Sequence, residues 1–151
     1  YQMTSFLEGA VQRGTGRGLK NLKLDLAGKT GTTNKNTDTW FIGFTSKLVI
    51  GVYVGFDEPQ TLGKRETGAR TAMPIFKEFV KTAIKKEDAR PFKVSENITM
   101  MVIDPKTGKK ASFGTKKTIV EVYKKDKIEQ KNVSNFKINN ILKNNNILRF
   151  Y

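Results

Sequence analysis

The chain has 151 residues, enough for one domain with a real core or for part of a larger one. It contains no cysteine and no histidine, which excludes thiol catalysis, disulfides, His/Cys metal sites and a Ser-His-Asp triad, so any catalytic base must be Lys, Asp, Glu or Tyr. The net charge of +14 favours polyanions as partners, but the lysines are dispersed and lack interleaved aromatics, which reads first as solvated faces.

In chain order, residues 2–13 are predicted as a helix, because Met3, Phe6, Leu7, Ala10 and Val11 recur at helical spacing. The run Arg13-Gly14-Thr15-Gly16-Arg17-Gly18 stops it. With no strand before it and no helix expected after it, a plain turn is favoured over a phosphate loop. Strands are expected near 24–33, 39–45 and 48–56, the last two joined so tightly by Thr45-Ser46-Lys47 that they must pair antiparallel. Their apolar runs are almost continuous, so both sheet faces are expected to be covered, with Gly43, Gly51 and Gly55 admitting a close neighbour.

Residues 57–70 read as a polar loop. Thr71 is then expected to cap a helix over 72–86, with Pro74 in its first turn. Ala72, Ile75, Phe76, Phe79, Val80, Ala83 and Ile84 form its apolar stripe, to be buried on the sheet. After Lys85 the composition shifts through a charged linker to a small β-rich segment, with strands suggested at Ile98 to Asp104 and Thr118 to Tyr123. From about Lys124 the chain is rich in Lys and Asn, and loose order is expected. No run reaches the ~18 apolar residues of a membrane span, and no charged-then-apolar leader is present. The chain opens at Tyr1 inside what reads as a folded element, so preceding sequence is expected.

The tripeptide Lys29-Thr30-Gly31 occurs in the series Ala27-Gly28-Lys29-Thr30-Gly31-Thr32-Thr33-Asn34. Asp38-Thr39-Trp40-Phe41-Ile42-Gly43-Phe44, Val52-Tyr53-Val54-Gly55-Phe56-Asp57, Glu66-Thr67-Gly68 and Ala72-Met73-Pro74-Ile75-Phe76 follow it. Together with the opening Tyr1 to Gly9 and Gln12-Arg13-Gly14-Thr15-Gly16, this series closely resembles the C-terminal part of the transpeptidase domain of class A penicillin-binding proteins. The likeness is strong over residues 1–93, weaker through Ile103-Asp104, Thr107-Gly108 and Thr118 to Glu121, and fades beyond about Lys127. A second copy, Lys106-Thr107-Gly108, follows Asp104-Pro105 and reads as a turn.

The resemblance implies an α+β fold, part of the β-lactamase/penicillin-binding-protein architecture with an antiparallel sheet packed by helices. It divides the chain into a transpeptidase portion over 1–86, a β-rich extension over 87–127 and a Lys/Asn-rich tail over 128–151. It also implies that Lys29, Thr30, Gly31 and Thr32 bind a peptidoglycan stem peptide ending in D-Ala-D-Ala, or a β-lactam. Lys29 would supply positive charge, Thr30 and Thr32 hydroxyls, Gly31 room for backbone approach, and the Thr32 N–H one arm of an oxyanion hole. No metal and no organic cofactor is implied, and the site of action would be the outer face of the bacterial cytoplasmic membrane, reached through an anchor not in this chain.

The family also needs S-x-x-K and S-x-N upstream of this motif. Only Ser5 precedes Lys29, and Glu8 rather than Lys stands three places after it. Ser95-Glu96-Asn97 and Ser134-Asn135-Phe136-Lys137 fit the patterns in the wrong order, and with five serines and 22 lysines about one S-x-x-K is expected by chance. The chain by itself is therefore expected to be inactive and to leave apolar surface uncovered, with a separate N-terminal piece as a candidate partner. A basic module that binds a polyanion and an inert remnant are the alternatives, with no specific nucleic acid implied.

Overall fold

A computed structural model describes residues 1–88 and 90–125. These residues form two compact units: Phe6–Lys93, and residues 1–5 with those from Val94 onward. The division falls between Lys93 and Val94, whereas the sequence places it after residue 86. The expected tail over 128–151 lies outside the described residues.

In the larger unit, three strands make an antiparallel sheet of order β1-β2-β3, with β1 at Ala27–Thr32, β2 at Asp38–Phe44 and β3 at Val49–Gly55. The β2–β3 hairpin closes on Thr45, whose N–H donates to the Leu48 carbonyl at 2.9 Å while its hydroxyl accepts from the N–H groups of Lys47 and Leu48. Helix α2, at Ala72–Ala83, packs on this sheet. Its buried line is Ala72, Phe76 and Val80, spaced by four. Phe76 meets Phe41 of β2 at 4.7 Å between ring centroids. Gly43 is the matching gap: a Cβ there would lie 2.6 Å from Phe76 Cζ and 2.8 Å from Phe41 Cε1. Val11, Leu19 and Leu26 complete the core.

Four expectations need correction. The sheet is covered on one face only among the described residues. Thr39 and Phe41 are buried under α2, while Trp40, Ile42, Val49 and Tyr53 on the opposite face are 41%, 49%, 69% and 49% exposed. Both faces are apolar, but burial alternates with the pleat. Helix α2 ends at Ala83 rather than 86, because Ile84 turns extended and the residues beyond it are charged. Thr71 does not cap α2 with its side chain. Its hydroxyl donates to the Thr67 carbonyl at 2.9 Å and lies 2.6 Å from the Thr39 hydroxyl. The apolar stripes are also narrower than predicted: Ile75, Phe79 and Phe6 stand exposed.

The first helix, α1, spans Gln2–Arg13 as expected, and its core-facing positions in the larger unit are Glu8, Gly9 and Val11. The glycine run after it is a turn, with the N–H groups of Gly14 and Gly16 both donating to the Ala10 carbonyl. A short 3-10 helix, Arg17–Leu22, follows where none was expected. It ends at Lys23 in the left-handed region, which delays the start of β1 to Ala27.

The smaller unit contains a hairpin of β4, Ile98–Ile103, and β5, Ile119–Lys124, paired antiparallel with Ile103 opposite Ile119. Lys106-Thr107-Gly108 is the turn its context predicts. The Asp104 carboxylate accepts from the Lys106 N–H at 2.8 Å and the Thr107 hydroxyl at 3.2 Å, and Gly108 has φ of +67°.

Truncating Phe76 to Ala removes the ring that fills the space over Gly43 and is expected to cost about 3–5 kcal/mol. Gly43→Val overfills the same space and should destabilise by about 1–3 kcal/mol or more. Urea unfolding followed by Trp40 fluorescence measures both. Glu8 offers a second check. Burial, with the Asp25 charge nearby, raises its carboxyl from 4.5 to about 7. Burial raises Asp25 as well. The folded state therefore holds a proton on Glu8 that the unfolded state releases, so this group's contribution to stability declines as pH rises from about 4.5 to 7. Glu8→Gln should flatten that decline and be the more stable form at pH 8, by about 3 kcal/mol at most and by less where solvent screens the site.

Candidate functional site

Antiparallel pairing decides what β1 presents. Lys29 lies opposite Ile42, Thr30 opposite Phe41, Gly31 opposite Trp40 and Thr32 opposite Thr39. Just past the strand, the Thr33 N–H donates to the Asp38 carbonyl at 3.0 Å. Hydrogen-bonded pairs alternate along an antiparallel ladder, so Gly31 and Lys29 exchange main-chain bonds with β2. The N–H and C=O groups of Thr30 and Thr32 then point to the opposite edge, which no strand of the described residues pairs with.

Side chains alternate in the other direction. Thr30 and Thr32 share the face of Phe41 and Thr39, and Lys29 shares the face of Ile42 and Trp40. The Lys29 side chain nevertheless returns to the edge. Its ammonium donates to the Thr30 carbonyl at 2.9 Å and approaches the Thr30 hydroxyl at 3.4 Å. A full positive charge thus sits beside outward-facing main chain. Lys29 and Thr32 are exposed, and Thr30 and Gly31 are half-buried.

Three neighbours hold this strand. The Thr15 hydroxyl, from the glycine turn, is 2.9 Å from the Thr30 hydroxyl. The Gly68 N–H donates to Thr32 Oγ1 at 3.1 Å. Beyond Thr32, a tight turn over Asn34–Asn36 leads into β2, with Lys35 and Asn36 both at positive φ. Asp38 organises that turn: Tyr53 donates to its carboxylate at 2.7 Å and Thr37 at 3.1 Å, and these bonds, the Tyr53 one first, lower its pKa. Asn36 ties in the 57–70 loop, accepting from the Leu62 N–H at 2.8 Å and donating to the Gly63 carbonyl at 3.2 Å.

The four residues singled out from sequence therefore lie together on one edge strand. Thr15, Gly68 and Asp38 had no assigned role. Thr15 belongs to a segment whose sequence signals a turn and Gly68 to the resembling series, and nothing in either segment signals contact with β1. Ser5 lies in α1 and Ser95 just before a turn, and Ser134 is outside the described residues.

The chain has counterparts among known proteins. A family model described as the penicillin binding protein transpeptidase domain matches residues 1–81. Penicillin-binding protein 1A of Rickettsia conorii is 46% identical over 129 residues, which are 85% of this chain and 16% of that protein. The protein of the same name from Pseudomonas aeruginosa is 44% identical over 83% of this chain and 16% of its own length. A crystal structure of penicillin-binding protein 1A from Haemophilus influenzae superposes with a TM-score of 0.67 at 32% identity, covering 78% of this chain and 19% of that one. The chain thus spans about a sixth of the curated relatives it matches. With more than half of its residues matched by the family model, and with the same fold, the chain belongs to the class A penicillin-binding proteins, through their transpeptidase domain.

Proposed function

We propose that this chain forms the carboxylate-recognising wall of a peptidoglycan D,D-transpeptidase site, carried by Lys29, Thr30, Gly31 and Thr32, and that the nucleophilic serine is not among its own residues. A stem peptide ending in D-Ala-D-Ala lies along the open edge of β1 in extended form and pairs with it through main-chain bonds. The Lys29 ammonium attracts the terminal carboxylate, and the Thr30 and Thr32 hydroxyls donate to it. Gly31 keeps the approach clear of a side chain.

In the reaction, a serine oxygen attacks the carbonyl of the penultimate D-Ala, and the negative charge passes to that carbonyl oxygen. The Thr32 N–H faces it as one arm of an oxyanion hole. The bond to the terminal D-Ala then breaks, that residue leaves as an amine with an added proton, and the acyl-serine is passed to an acceptor amine. A β-lactam enters as a mimic of the same terminus. The reading places this chemistry at the outer face of the cytoplasmic membrane, and among the described residues no helix is long and apolar enough to cross one.

What supports the reading is one observation: outward main chain at Thr30 and Thr32 beside the Lys29 ammonium, on an edge strand of a chain in this family. Fluorescent penicillin tests it. No covalent adduct is expected on the chain alone, and an adduct there would show that the nucleophile is its own. When the chain follows a segment carrying S-x-x-K and S-x-N, acylation should appear, and Lys29→Ala should slow it by roughly 10²–10³. Acylation that ignores Lys29→Ala removes the strand's role.

A further inference from the structure

We infer that Gly68 is a positioning residue for Thr32: its N–H takes one acceptor lone pair of the Thr32 hydroxyl and so orients that hydroxyl with its hydrogen left to donate at the strand edge. The inference rests on the carboxylate reading of β1 and goes beyond it by assigning a residue outside the strand.

A backbone N–H can only donate, so Thr32 Oγ1 is the acceptor of the 3.1 Å bond from Gly68. A hydroxyl that accepts on one side still has its own hydrogen to give. Thr32 is exposed, so that hydrogen is available to a group arriving at the edge. The main-chain N–H of the same residue faces that edge too. Thr32 thereby offers two donors, which suits a carboxylate or a carbonyl oxygen.

Gly68 is held where it can do this. It is buried, and a Cβ built on it would lie 2.4 Å from the Trp40 carbonyl oxygen, 2.6 Å from the Gly31 carbonyl oxygen and 3.2 Å from the Gly31 nitrogen. All three are backbone atoms of the β1–β2 ladder, so they cannot swing aside as a flexible side chain would. Only a residue without a side chain brings its N–H this close to Thr32. Two further bonds fix the turn: the Gly68 carbonyl accepts from the Met73 N–H at 2.8 Å, in the first turn of α2, and the Thr71 hydroxyl donates to the Thr67 carbonyl while touching Thr39, the partner of Thr32 across the ladder. The Glu66-Thr67-Gly68 segment is thus a clamp between α2 and the strand.

The test uses the ¹⁵N-labelled chain, with N-acetyl-D-Ala-D-Ala as probe and amide hydrogen exchange at Gly68 as a second readout. Thr32→Val should speed Gly68 exchange at least tenfold and weaken dipeptide binding about tenfold. Thr32→Ser, which keeps the hydroxyl, should restore both, a rescue that a purely packing role for Thr32 would not produce. Gly68→Ala should lose binding to the same extent as Thr32→Val, and the threonine pair carries the test alone if the alanine variant fails to fold. Lys29→Met should abolish binding and leave Gly68 exchange unchanged. Unaltered Gly68 exchange or unaltered binding in Thr32→Val overturns the positioning role alone. A wild-type chain in which the dipeptide moves none of the Lys29–Thr32 amides overturns the carboxylate reading first, and the positioning role with it.

Discussion

The main-chain bond from Thr33 to Asp38 sets the phase of the whole β1–β2 ladder. Slipping it by one residue would turn Thr30 and Thr32 inward and Gly31 outward, and would move the Lys29 side chain to the face under α2. The cluster around Asp38 guards this phase. Thr33, Thr37 and Tyr53 all bond to its carboxylate, and the Tyr53 ring leans on Trp40 at 4.8 Å between centroids. The turn that closes the ladder is therefore stapled both to β3 and to the 57–70 loop.

A second constraint comes from beneath. The α2 side of the sheet is a dense apolar contact built on Phe41, Phe76 and the missing side chain of Gly43. This contact holds β2, and β2 holds β1. Polar bonds then adjust what apolar packing supports: Thr15 meets the Thr30 hydroxyl, Gly68 meets the Thr32 hydroxyl, and Thr71 meets the Thr39 hydroxyl. Each side-chain oxygen along that face of the β1–β2 pair has a partner drawn from a different segment. An edge strand with so few paired main-chain groups is kept in place by such side-chain anchors.

Much of this could be read from residue order. The hairpin followed from two β-rich runs and a link of three residues, and the Lys29 strand followed from its resembling context. The second Lys-Thr-Gly copy was separable because Asp104-Pro105 is turn chemistry, and Asp104 does bond the turn that follows. What was not legible depends on partners distant in sequence. Periodicity shows that both faces of β2 are apolar, but not that, among the described residues, only one of them meets a helix. Thr71 looks like a cap locally, yet its hydroxyl goes to Thr39 and Thr67. Gly68 looks like a loop glycine, because nothing nearby in sequence reveals the carbonyls of Gly31 and Trp40 pressing against it. Helix α2 looks longer than it is, because Ile84 continues the apolar spacing after the backbone has left the helix.

The two borders of the three-stranded sheet differ in character. Along β1 a lysine and polar hydroxyls keep water and charge at hand. Along β3 the outward main chain belongs to Val49, Gly51, Tyr53 and Gly55, with no charged side chain among them and open space around Gly51. Such a border is an adhesive template: at high concentration, copies of this polypeptide would zip together there, strand against strand, and precipitation would begin at β3.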